Sequence, residues 1–194
     1  MSTSNVTVSS HNEDLELLHT RQIDLRFYKR KDDLYEVVGH FTDKKTYPFR
    51  LQLAQEDLPA GEPVHDMELR MVIDDDLTIY DIKATMNATP FGVCREAQNT
   101  LAPLKGLRIA AGWNKKVREI LGGSASCTHL MELLGPMATN AFQGLAPKRL
   151  EEIERPENEP LRQAKINSCY AYSENRVVVA RLWPHLAKQP SKAQ

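Results

Sequence analysis

Residues 64–86 constrain the fold more than any other part of the chain. Two runs in which apolar and polar residues alternate flank the acidic turn Asp74-Asp75-Asp76. Alternation with period two marks a strand with one buried face, and two such runs around a short polar turn predict a β-hairpin. With Asp75 and Asp76 as a two-residue loop, Glu68 faces Lys83 and Arg70 faces Asp81, two opposite-charge pairs on one face. The other face then pairs Met71 with Tyr80, Leu69 with Ile82 and Met67 with Ala84. The same count puts His65 on the apolar face and turns Asp66 to the opposite one.

An earlier hairpin is predicted where Ile23, Leu25 and Phe27 alternate with polar residues, followed by a turn at Lys31-Asp32-Asp33 and a second strand over 34–42. Beyond residue 88 the period becomes helical. Thr89 is placed to cap a helix and Pro90 to open it, with Cys94, Ala97, Gln98 and Leu101 on one face up to Pro103. A second helix is predicted over 113–121, closed by Gly122-Gly123. A third starts near Ser124 or Ser126 and runs toward Gln143, with Pro136 as a kink or break. Its apolar stripe is Cys127, Leu130, Met131 and Leu134. Residues 144–162 read as a short helix and linker, and Val177-Val178-Val179 as a strand. The fold class is therefore α+β: antiparallel β-hairpins forming a sheet packed against about three helices. One domain is expected over 19–184, between a flexible arm at 1–18 and a flexible tail at 185–194.

Bulk properties narrow the function. The 25 basic and 26 acidic residues leave a net charge of −1, so no phosphate-binding excess exists and no nucleic-acid partner is expected. No apolar run reaches the ~18 residues of a membrane-spanning helix. Met1-Ser2-Thr3-Ser4-Asn5 has neither the basic start nor the apolar stretch of a secretory signal. Three cysteines, Cys94, Cys127 and Cys169, cannot all pair within one chain. Together these features predict a cytoplasmic protein with free thiols.

The candidates for chemistry lie on two segments. His129 and Glu132, three residues apart on a predicted helix, are surface neighbours, and a carboxylate beside an imidazole raises its basicity. The alternative is an exposed ion pair of no catalytic consequence. Cys127, in the first turn of that helix, sits where the helix N-terminus favours a thiolate; alternatively it is a core thiol. His65 is either a core histidine bonded to backbone or an imidazole at the rim of a pocket between sheet and helices. If the helix bearing His129 packs on that face, the two histidines converge. His65, Cys127, His129 and Glu132 are zinc-type ligands, but no HExxH or CxxC spacing occurs, and no metal ligand is assigned. No GxGxxG or Walker loop occurs either, so no cofactor is expected. Arg21, Arg26, Arg50 and Arg95 are candidates for binding an anion, because the guanidinium fork matches a carboxylate.

Several ordered blocks carry a resemblance: Pro63-Val64-His65-Asp66-Met67, Ile73-Asp74-Asp75-Asp76-Leu77-Thr78-Ile79, Cys94, Leu104-Lys105-Gly106-Leu107, Gly122-Gly123 and Cys127-Thr128-His129-Leu130-Met131-Glu132-Leu133. Over residues 19–143 the chain resembles a bacterial family catalogued as a domain of unknown function, with 34–45 similar to its opening hairpin. It departs at Ala125-Ser126, where a glycine-containing approach to the cysteine is expected. The resemblance implies a place in aromatic-compound degradation. The activity it implies is a lyase converting 4-hydroxylaminobenzoate to 3,4-dihydroxybenzoate (protocatechuate) with release of ammonia, without a cofactor. On that reading His129, tuned by Glu132, and His65 do acid/base work, Cys127 is a supporting donor, and Arg26, Arg21 and Tyr80 contact the small aromatic carboxylate. A homodimer is the expected assembly. Two other readings stay open: a non-catalytic protein that binds an aromatic acid or a pathway enzyme, and a metal-dependent hydrolase using His65, Cys127 and His129.

Overall fold

The computed structural model describes residues 14–188. Six strands form: β1 (His19–Lys29), β2 (Tyr35–Lys45), β3 (Phe49–Arg50), β4 (Asp57–Leu58), β5 (Pro63–Ile73) and β6 (Ile79–Ala88). Four of them make one antiparallel sheet in the order β1-β2-β5-β6, and β3 pairs with β4 in the excursion between β2 and β5. The expected α+β architecture is what the chain adopts. The first hairpin turns at residues 31–33, where Asp33 takes a left-handed φ of 59° and the Arg30 amide donates to the Leu34 carbonyl at 2.9 Å.

One sheet face is apolar. Val37 and Phe41 of β2, with Met67, Leu69, Met71 and Ile73 of β5, are buried there. The second hairpin forms, but in a different register. Met67 faces Met86, Leu69 faces Ala84, Met71 faces Ile82 and Arg70 faces Lys83. The cause is the loop, which takes five residues, 74–78, rather than two. Asp74 closes it: its Oδ1 accepts from the Thr78 amide at 2.8 Å, and its carbonyl accepts from the Leu77 amide at 3.1 Å. Leu77 adopts a left-handed φ of 65° and is only 1% exposed. Burying a leucine is worth about 2 kcal/mol, against about 0.2–1 kcal/mol for each charge pair that the shorter loop would have aligned. The pairing slides by two residues, which leaves every side chain on its expected face. Tyr80 is the exception. A register shift between Val72 and Ile73 pairs Ile73 with Ile79, and Tyr80 falls out of the apolar row into solvent.

Helix α1 (Trp113–Leu121) forms as predicted and ends at Gly122, where a Cβ would lie 2.3 Å from the Arg118 carbonyl oxygen. Helix α2 (Thr128–Gly144) carries Pro136 inside it. It packs on the apolar sheet face: a Cβ at Gly39 of β2 would lie 2.9 Å from the Met137 sulfur. The indole of Trp113 ties α1 to α2 by donating to the Leu134 carbonyl at 3.1 Å. The helix predicted from Thr89 is instead a 3-10 segment, Gly92–Asn99, because the Thr89 hydroxyl donates to the Phe91 carbonyl and leaves the amides uncapped.

Contacts divide the chain into two compact units, 1–142 and 143–194, where the sequence suggested one domain over 19–184. The second unit holds α3 (Ala146–Glu154), α4 (Glu159–Lys165) and α5 (Val177–Leu182). Its Arg162 is buried, donating to the carbonyls of Ile153, Arg155 and Pro156 and to Glu159. The strand expected at Val177-Val178-Val179 is the first turn of α5, since β-branched residues favour a strand only where a partner strand lies beside them. Of the expected arm and tail, residues 1–13 and 189–194 lie outside the described residues.

Candidate functional site

The site begins as one row of the sheet. Arg21 of β1, Asp43 of β2 and His65 of β5 stand opposite one another in register, all on the apolar side. Strand alternation puts a carboxylate into that face because Val37, Gly39, Phe41 and Asp43 share one parity along β2. Asp43 is 3% exposed. Arg21 grips it from two points, Nε donating to Oδ1 and Nη2 to Oδ2, both at 2.9 Å. His65 Nδ1 lies 3.2 Å from Oδ2, and His19 Nε2 lies 3.2 Å from Oδ1. Burial alone would raise the Asp43 carboxyl, but the Arg21 hydrogen bonds and charge outweigh it and hold the group below the ordinary carboxylate range. Asp43 is therefore an anion, and the His65 nitrogen facing it is the N–H donor, which leaves Nε2 with the free lone pair.

Helix α2 supplies the second half. Cys127 immediately precedes the helix, its carbonyl accepting from the Met131 amide at 3.1 Å, and the backbone amides of His129 and Leu130 favour its thiolate. The chain reaches that position extended through Ser126, whose hydroxyl meets that of Thr100 at 2.6 Å. Here the sequence has Ala125-Ser126 rather than glycine. His129 places Nδ1 3.7 Å from the Cys127 sulfur and lays its ring against His65, centroid to centroid 3.9 Å, at 35°. Phe41 backs the His129 ring at 5.5 Å, and Arg21 stacks over Phe41 at 4.8 Å.

The imidazoles differ in charge preference. Burial lowers the proton affinity of His65, and the neighbouring His129 lowers it further, against the pull of Asp43. The Cys127 thiol raises that of His129, against the cost of burial. Burial raises the Cys127 thiol, but its hydrogen bond with His129 and the two backbone amides more than offset this, so the thiol is shifted down.

His65, Cys127 and His129 line one cleft of about 640 Å³. Its walls include Met86, Pro90, Phe91 and Val93, with Cys94 and Glu96 from the 3-10 segment, and among the described residues no lysine or arginine lines it. Asp43, His65 and His129 each offer a ligand atom within 4.8 Å of the others, so a metal-ligand set exists here, although both Asp43 oxygens already carry Arg21.

The structure thus joins His65, Cys127 and His129 and corrects other expectations. Glu132 hydrogen-bonds Arg21 Nη1 at 2.9 Å, half exposed, and acts on His129 through charge alone, raising its proton affinity less than Cys127, which is the hydrogen-bond partner of the ring. Cys127 lies outside the helix, so the rule that residues two apart diverge does not apply to it. Arg26 lies on the opposite sheet face, bonded to Asp24 at 2.6 Å, and Tyr80 stands in solvent, 58% exposed, away from the cleft lining. Arg21 stands behind Asp43 and Phe41 and is not among the residues that line the cleft. Sequence reasoning missed Asp43, for which the signal was its parity with Val37 and Phe41.

Among the described residues no helix is long and apolar enough to cross a membrane. No curated protein matches the chain, and no solved structure matches it. A family model described as protein of unknown function (DUF2889) matches residues 19–143, which contain every residue of the site. The chain belongs to the DUF2889 family.

Proposed function

We propose that the cleft is the active site of an enzyme that moves protons on a small, mainly apolar substrate, with His129 as acid and His65 as base. One observation carries this reading: two stacked imidazoles open on the same cleft with their proton affinities displaced in opposite directions. Paired groups whose environments push them apart divide acid from base. Cys127 holds and charges His129, and Asp43, fixed by Arg21, orients His65; these two are positioning residues.

The reaction we assign is the conversion of 4-hydroxylaminobenzoate and water to protocatechuate and ammonia, as the sequence resemblance implies. His129 donates a proton to the N–OH oxygen, and water leaves. His65 takes a proton from a second water as it adds to the ring carbon beside the nitrogen-bearing one. Hydrolysis of the resulting imine releases ammonia, and loss of the ring proton restores the aromatic diol. Two waters enter and one leaves, and the N–O bond is the internal oxidant. Because no lysine or arginine among the described residues lines the cleft, the substrate carboxylate points toward its open side, and phenylhydroxylamine is expected to be accepted as well. Incubating the protein with 4-hydroxylaminobenzoate tests the assignment: protocatechuate and ammonia appearing in equal amounts support it, and absence of turnover ends it.

A further inference from the structure

The thiol of the site has a second capacity that does not depend on the lyase reading. We propose that Cys127 is a nucleophile that captures soft carbon electrophiles, small compounds whose C=C bond is conjugated to a carbonyl group, as a covalent thioether, with His129 supplying the proton. Two independent features meet at this residue. Cys127 Sγ and His129 Nδ1 are 3.7 Å apart, within hydrogen-bond reach for sulfur. Both residues also line the cleft of about 640 Å³, and Cys127 is only partly buried, so a small molecule can reach the pair. Among the described residues no imidazole faces Cys94 or Cys169, although Cys94 lines the same cleft and Cys169 is exposed.

The pair is held from both sides. His65 stacks on the His129 ring at 3.9 Å and Phe41 backs it at 5.5 Å, which keeps Nδ1 turned to the sulfur. Burial opposes the thiolate, and the His129 hydrogen bond, with the backbone amides of Leu130 and His129, overcomes it. The other titratable groups around the pair are His65, Asp43 and Glu132, of which the two carboxylates act on His129 by charge, and Glu96 in the cleft lining. Cysteine and imidazole share one proton, and with that proton on Nδ1 the sulfur is an anion. The sulfur bonds to the β-carbon of the alkene, the C=C electron pair moves to the α-carbon, and that carbon takes the Nδ1 proton. A thioether and a neutral imidazole result, so atoms and charge balance with no oxidant or reductant. Met86, Pro90, Phe91 and Val93 offer apolar walls to a flat conjugated molecule.

The test treats the full chain with N-ethylmaleimide, a small activated alkene, between pH 6 and pH 8, and reads the rate at each cysteine by peptide mass spectrometry. An ordinary thiol is only about 0.3% ionised at pH 6. A thiolate held by an imidazolium escapes that limit, and its lower intrinsic nucleophilicity takes back only part of the gain. Cys127 is expected to react at least ~5-fold faster than Cys94 and Cys169 at pH 6. Its rate should change little with pH while theirs rise about tenfold per pH unit. His129→Gln is expected to move Cys127 onto the rising profile, whereas His40→Gln, on the opposite sheet face, leaves it flat. Circular dichroism and thermal melts establish that the variants are folded. A wild-type Cys127 rate that rises in parallel with that of Cys94 overturns the proposal, whatever the variants do. So does preferential labelling of Cys94, which would mean that access and not the imidazole sets reactivity, or a flat Cys127 profile retained by folded His129→Gln protein. No step of the assay uses the lyase substrate. Selective capture without turnover ends the lyase reading and leaves the nucleophile standing; turnover without selective capture does the reverse.

Discussion

Two histidine–aspartate pairs sit on opposite faces of the same sheet. On the inner face His65 meets Asp43 at 3.2 Å, with side chains 13% and 4% exposed. On the outer face His40 meets Asp66 at 2.9 Å, with side chains 43% and 25% exposed, and Asn87 donates to the same Asp66 oxygen. The outer contact is shorter, yet the inner pair is the one with chemical leverage. Charges near water are screened and their hydrogen bonds are exchanged for bonds to solvent, while those beneath a helix keep their strength. The inner pair also has neighbours that the outer one lacks: a guanidinium clamping the carboxylate, a second imidazole stacked on the first, and a thiol beside that. His65 and Asp66 are adjacent in the chain, so strand alternation alone assigns one to the cleft and the other to solvent.

Replacing the two aspartates should make that asymmetry measurable. Asp43→Asn removes the anion that Arg21 and His65 share and is expected to cost about 2 kcal/mol in denaturant unfolding, below the range for fully buried pairs because Arg21 is partly exposed. Asp66→Asn is expected to cost less than about 0.5 kcal/mol in the same measurement. Equal losses would mean that burial does not separate the faces.

Gly39→Ala probes the inner face through packing. The new methyl would come within 2.9 Å of the Met137 sulfur, and because that side chain is flexible the expected cost is about 1 kcal/mol. A thermal melt unchanged from wild type would show that α2 sits farther from β2 than the structure has it.

A third test concerns the outer-face Asp81. Lys105 and Lys83 hold its carboxyl down at about 2, below the ordinary 3.8. A lowered carboxyl stabilises the fold above its unfolded value and loses that contribution as pH falls from about 4 toward 2. Since both lysines are exposed, about 0.5 kcal/mol is expected. Asp81→Asn should be less stable than wild type at pH 7 and equal to it near pH 2; a difference that persists in acid would assign the effect to packing.

The faces were legible because alternation is a local property of the chain. It places His65 inward, Asp66 outward and the Met67-to-Ile73 row in the core. Register was not legible, because it rests on Leu77, whose burial in a left-handed conformation no alternation count reveals. Asp43 was hidden for a related reason: Asp43-Lys44-Lys45 looks like the polar end of a strand, whereas β2 continues through it. The Cys127–His129 contact was lost by applying helical spacing one residue too early. Val177-Val178-Val179 misled because β-branched residues name a strand only where a sheet can receive them.

The central claim is that the inner imidazoles do the chemistry and the outer one does not. The most direct measurement is 4-hydroxylaminobenzoate turnover by His129→Gln, His65→Gln and His40→Gln proteins, each verified as folded. We expect losses of at least about 100-fold for the two inner variants and activity within about twofold of wild type for His40→Gln. Wild-type rates in both inner variants, or a comparable loss in His40→Gln, would contradict the account.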